Sequence, residues 1–110
     1  MKSAILLLGF NRIDYFARVL ASLEKNDAAH EHDLHVYVDG GPAAKQAEIK
    51  ELIANSKFSD AEIVCRVNNW GIGRHLIDAR RRLFDVLGYD RILLLEDDLV
   101  LGEHYVETVF

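Results

Sequence analysis

Residues 4–9, Ala-Ile-Leu-Leu-Leu-Gly, form an unbroken apolar stretch, and from Ile13 the apolar spacing changes from continuous to helical. A strand buried on both faces reads as such a continuous run. Ile13, Phe16, Val19, Leu20 and Leu23 then recur at spacings of three and four, with Arg18, Glu24 and Lys25 opposite, which predicts a helix over 13–25 with one apolar stripe. Asn11 stands at its expected cap, with Asp14 three residues on as a capping-box partner. The switch then repeats. Residues 34–38 form a second strand, ended by Asp39-Gly40-Gly41, and Pro42 opens a helix that runs to about Ser56 on Ile49, Leu52 and Ile53. Residues 61–67 form a third strand and Asn68 to Gly73 a loop. Residues 74–87 form a third helix carrying Leu76, Ile77, Leu83, Phe84 and Leu87, stopped at Gly88. Residues 91–95 form a fourth strand that runs into Glu96-Asp97-Asp98.

Strands that alternate with helices imply an α/β fold with a mostly parallel sheet and right-handed crossovers. The expectation is a three-layer αβα sandwich, Rossmann-like, with strand order 3-2-1-4 and a switch point between the first and fourth strands. The 110 residues fit one domain with one modest core. Gly102 to Phe110 reads as the first turns of a further helix with no end signal, so a chain truncated at its carboxyl end is expected.

Composition narrows the function classes. Half of the residues are hydrophobic and 28% are charged, which excludes a disordered tail. The run Ala4–Phe10 is far short of the ~20 residues needed to cross a bilayer. Lys2 in front of it mimics a signal peptide, but Asn11-Arg12 follow where a cleavage site would stand. No transmembrane segment is expected, and the lone Cys65, read as a small buried hydrophobe, fits a reducing, cytoplasmic setting. A net charge of −5 argues against a nucleic-acid partner or an anionic membrane surface. It leaves room for a small anion held by two or three local arginines.

The unusual polar residues share one address. Asn11-Arg12 follow the first strand, Asp39-Gly40-Gly41 the second, Asn68 to Arg74 the third and Glu96-Asp97-Asp98 the fourth. All four sets fall at the carboxyl ends of parallel strands, the edge where open α/β sheets bind ligands. The acidic triplet is the sharpest of them. Two carboxylates ~4 Å apart repel by about 4 kcal/mol at an effective dielectric of 20. A divalent cation reverses that repulsion, and hard oxygen ligands suit Mg²⁺ or Mn²⁺. A loop start and a helix cap would also account for Asp97 and Asp98.

The other candidates carry paired readings too. Asp39 serves either a tight turn or a base or ribose that donates hydrogen bonds to it. Gly71-x-Gly73 before a helix would let backbone N–H groups approach a phosphate, although the third glycine of a dinucleotide fingerprint is missing. Arg74 opposes the helix dipole, which points to an anion partner or to an ordinary surface arginine. His75 beside that loop is a minor donor to the same ligand. Arg80-Arg81-Arg82 fan around a helix and read as a solvated face. His30 and His32 lack a third metal ligand of fixed spacing.

These residues resemble a known family. Leu-Leu-Gly-Phe-Asn-Arg (7–12), Val-Asp-Gly-Gly (38–41), Leu-Leu-Glu-Asp-Asp-Leu (94–99) and His-Tyr-Val-Glu (104–107) look like the amino-terminal half of a GT-A-fold glycosyltransferase, of the N-acetylglucosaminyltransferase I type or, more broadly, of the family-2 sugar transferases. The resemblance implies a nucleotide-diphospho-sugar donor, UDP-linked, and transfer to an acceptor hydroxyl of a carbohydrate or glycan with inversion. It assigns Asp98 to the Mn²⁺, Glu96 and Asp97 to ribose and sugar, Arg12 to the diphosphate and Asp39 to uracil; Asn11 and Arg74, from their places at the same edge, complete the expected donor site. The catalytic base is expected beyond Phe110, so the chain as given is expected to bind the donor without completing transfer. The rival expectations are a non-catalytic nucleotide-sugar-binding or interaction domain and, less in keeping with the motif's position, a receiver-like phosphoacceptor domain.

Overall fold

The structure, a computed structural model, describes residues 2–10 and 12–96. Asn11, Asp97, Asp98 and the helix expected at 102–110 lie outside the described residues. The chain runs β1 (Ser3–Gly9), α1 (Ile13–Glu24), a 3-10 turn (Asp27–Glu31), β2 (Asp33–Val38), α2 (Ala43–Ala54), β3 (Glu62–Cys65), α3 (Gly71–Arg81), a π-helical turn (Arg82–Val86) and β4 (Arg91–Glu96). The four strands form one all-parallel sheet in the order β3-β2-β1-β4, as the alternation of patterns predicts.

β1 is central because it is the most apolar strand. It pairs with β2 on one side and β4 on the other, and Ala4 to Leu8 are at most 3% exposed. Its alternate residues feed two cores. Ile5 and Leu7 pack with Phe16, Val19, Leu20 and Leu23 of α1 and with Ile49 and Ile53 of α2. Ala4, Leu6 and Leu8 pack with Tyr37, Ala79 and Leu83 on the α3 side. The layers are therefore α1 and α2, the sheet, and α3. Each fully buried Leu, Ile or Phe contributes about 1.5–3 kcal/mol, so β1 and α1 hold much of the stability.

Several expectations need correction. α3 begins at Gly71, not at residue 74, because the Asp39 carboxylate captures the backbone N–H groups of Trp70 and Gly71 and starts the helix early. The stretch read as one helix to residue 87 changes to a π-helical turn after Arg81, with Leu87 N–H bonded to the Arg82 carbonyl at 2.9 Å. The apolar stripe is also misread. Ile77 is 69% exposed, and Phe84 and Leu87 are partly exposed, while the buried row is His75, Ala79 and Leu83. The hydrogen bonds of His75 set that rotation, and the small Ala79 lets the helix approach the sheet.

β3 spans only Glu62–Cys65, inside the expected 61–67, because its pairing with β2 runs only from His35 with Glu62 to Val38 with Cys65. The cap position of α1 is Arg12, with no side-chain cap bond. Cys65 is half-buried beside the α1/α2 core, and burial pushes its thiol pKa up. Among the described residues no helix is long and apolar enough to cross a membrane.

Candidate functional site

The sheet register brings the carboxyl ends of the strands to one level. Leu8 pairs with Glu96, Gly9 with Val38, and Val38 with Cys65. The segments after β1, β2 and β3 therefore emerge side by side, and two glycines let them meet. A Cβ on Gly40 would lie 2.0 Å from the backbone carbonyl carbon of Asn68, and one on Gly41 would lie 2.8 Å from the Phe10 ring. The Asp-Gly-Gly signal thus reflects close approach between loops as well as turn chemistry.

Asp39, 6% exposed, is the hub of this edge. One carboxylate oxygen, Oδ1, accepts hydrogen bonds from the N–H groups of Gly40 and Trp70, both at 2.8 Å. The other, Oδ2, accepts one from Gly71 N–H at 3.0 Å. A carboxylate at a helix N-terminus satisfies orphan donors and complements the dipole. The Gly71 amide that a phosphate would approach is thereby already engaged. Asn69 supports the junction by donating to the Gly40 carbonyl at 3.1 Å, and Gln46 donates to the carbonyls of Asp39 and Arg66 at 3.2 and 2.8 Å.

Two arginines flank the hub, each laid on an aromatic ring. The Arg12 guanidinium lies 5.6 Å from the Tyr15 ring centroid, and that of Arg74 lies 4.0 Å from the centroid of Trp70. Both are exposed, and neither has a carboxylate partner among the described residues. Glu96 is the exposed last residue of β4 at the same edge. Of the residues expected at the site, the structure brings Arg12, Asp39, Arg74 and Glu96 to one edge, while Asn11, Asp97 and Asp98 lie outside the described residues.

Behind Trp70 stands a buried group that the sequence does not single out. Arg66, 9% exposed, has its guanidinium 4.1 Å from the Trp70 centroid and 5.1 Å from that of Tyr37. Its Nη2 lies 2.7 Å from Asp78 Oδ2, close enough for an ion pair but not aligned as a hydrogen bond. Its Nε donates to His75 Nδ1 at 3.2 Å, and His75 Nε2 lies 3.0 Å from the Tyr37 carbonyl. A carbonyl only accepts, so Nε2 carries the proton and the imidazole is neutral. Burial, more than any neighbour, lowers the His75 pKa below 6.5. His75 is thus a structural donor to Tyr37, not a ligand contact of the loop. Arg80 and Arg81 are exposed as a solvated face would be, whereas Arg82 reaches back to donate to the Tyr37 hydroxyl at 3.0 Å.

The amino-terminal edge of the sheet differs. A cavity of about 650 Å³ opens there, lined by Lys2, Asp33, His35, Glu62, Arg82 and Tyr89 among others. The Tyr89 hydroxyl donates to Asp33 at 2.7 Å and stands 2.8 Å from His35 Nε2, which must therefore donate to it. Burial lowers the His35 pKa, and burial followed by the Asp33 hydrogen bond raises that of Tyr89. These groups tie the start of β2 to the segment before β4, and the Lys2 ammonium is bonded to the Leu87 carbonyl. We place the candidate site at the carboxyl edge because Arg12, Asp39, Arg74 and Glu96 come together there, at the edge where open parallel sheets bind ligands, whereas the polar groups of the amino edge are engaged with one another. His30 stacks on Phe58, His32 Nδ1 lies 2.5 Å from Ser3 Oγ, and among the described residues no group of three His, Cys, Asp or Glu can hold a metal. Comparison with models of known protein families and with curated proteins finds no match to this chain.

Proposed function

We propose that this chain is the nucleotide-sugar-binding part of a metal-dependent glycosyltransferase that takes a UDP-linked donor and passes its sugar to the hydroxyl of a carbohydrate acceptor with inversion. The observation that carries this reading is the pair Arg12 and Arg74. Two exposed guanidiniums, each over an aromatic ring, flank the carboxyl edge of an open parallel sheet. That is the place and the charge a diphosphate needs.

In this reading Arg12 and Arg74 hold the diphosphate and favour its departure, because negative charge grows on the leaving oxygen as the sugar bond breaks. Asp39 keeps acceptor capacity on Oδ2 for an N–H of the base. Glu96 orients ribose and sugar together with Asp97, and Asp98 would hold Mn²⁺ or Mg²⁺ through its hard carboxylate oxygens; a bound cation would neutralise diphosphate charge. A non-catalytic nucleotide-sugar-binding domain would use the same contacts and differ only in lacking the transfer step.

Calorimetry and thermal shift with UDP, with and without Mn²⁺, test the reading. A ligand at a hundredfold excess over its dissociation constant stabilises the folded state by about 2.7 kcal/mol, which is readily seen. Asp98→Ala should abolish Mn²⁺-dependent UDP binding with the fold intact, and Arg12→Ala should weaken UDP more than uridine. Absence of binding by UDP or any other nucleoside diphosphate, with or without Mn²⁺, would overturn the reading.

A further inference from the structure

We propose that Arg66 and His75 form a positioning pair that holds the Trp70–Arg74 shelf in place, and that a proton arriving on His75 releases it. The inference deepens the donor-site reading and rests on it only where ligand affinity is concerned. Arg66 touches everything behind the shelf: the Trp70 ring, the Tyr37 ring, Asp78 and His75 Nδ1. Trp70 in turn carries the Arg74 guanidinium at 4.0 Å and gives its N–H to Asp39. A displacement of Arg66 is therefore felt at both the free cation and the hub of the edge.

The His75–Arg66 contact works in one protonation state alone. Nδ1 accepts from Arg66 Nε–H only while it has a free lone pair. A proton there turns the contact into two facing donors and sets two cations side by side in a buried place. The charged groups acting on His75 are Asp39 at the end of β2, Arg66 after β3 and Asp78 on α3. The two carboxylates favour the proton, while Arg66 and burial oppose it. Nε2–H keeps its bond to the Tyr37 carbonyl in either state, so α3 stays anchored and the strain falls on Arg66.

Trp70 is the only tryptophan in the chain, so its fluorescence reports on the shelf without any ligand. Titrated from about pH 8 to about pH 5, where histidines exchange protons, wild-type emission should change with a midpoint below the ordinary histidine value. Far-ultraviolet circular dichroism should stay constant over the same range. In His75→Gln, which retains a donor and an acceptor but does not titrate, the transition should vanish. In Arg66→Gln it should vanish too, since no guanidinium remains to be released. In His35→Gln it should persist. A flat wild-type titration, or a transition that survives in both His75→Gln and Arg66→Gln, would overturn the proposal. A second arm measures UDP with Mn²⁺ at both ends of the range. Loss of one charge-assisted contact predicts about a tenfold weakening in acid for the wild type relative to His75→Gln. If UDP does not bind at all, the donor reading falls while the fluorescence arm still decides the latch.

Discussion

The two faces of the sheet are built from different materials. On the α1/α2 face Ile5, Leu7, Phe16, Val19, Leu23, Val36, Ile49 and Ile53 make a dry aliphatic core. On the α3 face Leu6, Leu8 and Leu83 share the space with buried His35, His75 and Arg66. Apolar packing is tolerant of shape and non-directional, so it supplies stability without fixing one arrangement. The polar face is directional. His75 must meet Tyr37 and Arg66, and Arg66 must meet Asp78 and Trp70. Such a network holds few geometries, which is what a binding edge requires and what a core does not.

If this division is right, mutations on the two faces should fail in different ways. Phe16→Ala should have the largest effect, about 3–5 kcal/mol of stability by urea denaturation, because it opens a cavity at a fully buried position. A loss below about 1 kcal/mol would deny the α1/α2 face its structural role. Asp39→Ala should cost about 1–3 kcal/mol by stripping the acceptor from the Trp70 and Gly71 amides. Asp39→Asn should recover part of that loss, since a side-chain oxygen still accepts. Equal losses for the two variants would mean that the charge matters and the hydrogen-bond acceptor does not.

Acid should separate the faces further. His35 and His75 are both held below 6.5 by burial. As pH falls through 6.5 toward their lowered values, the unfolded chain binds protons that the folded chain refuses, so stability drops across that window and is flat above it. His35→Gln and His75→Gln should each shallow the slope. A stability that rises on acidification over that window would contradict the burial of both rings. The smallest effect belongs to Ile77→Ser, within about 0.5 kcal/mol, because its side chain faces solvent. A larger loss would restore Ile77 to the apolar stripe that periodicity alone suggests.

Much of the fold was legible in residue order. The run at 4–9 marks the central strand because only a strand with neighbours on both sides and a layer on each face needs six apolar residues in a row. The helix at 13–24 was equally clear, since its stripe at spacings of three and four has no competing period. The third helix was not. Its buried row runs through a histidine and an alanine, residues that a search for apolar periodicity passes over, while Ile77 supplies a false signal. At the carboxyl edge, Arg12, Asp39, Arg74 and Glu96 could be assigned from their positions after strands. Asn69 and Trp70 fall within the Asn68–Arg74 set at that edge, but their roles, like those of Arg66, Gln46 and Asp78, could not be read, because what matters in each is a partner distant in sequence: Gln46 to Arg66, Asn69 to Gly40, Trp70 to Asp39.

Sequence alone determined the layers, the parallel order of the strands and the edge where polar residues gather, because these follow from local periodicity and from the handedness of crossovers. Tertiary structure alone decided what Asp39 touches, where α3 begins and which arginine is buried. Those outcomes depend on which amides, rings and carboxylates arrive within about 3–4 Å of one another, and no spacing along a single strand or helix encodes that distance.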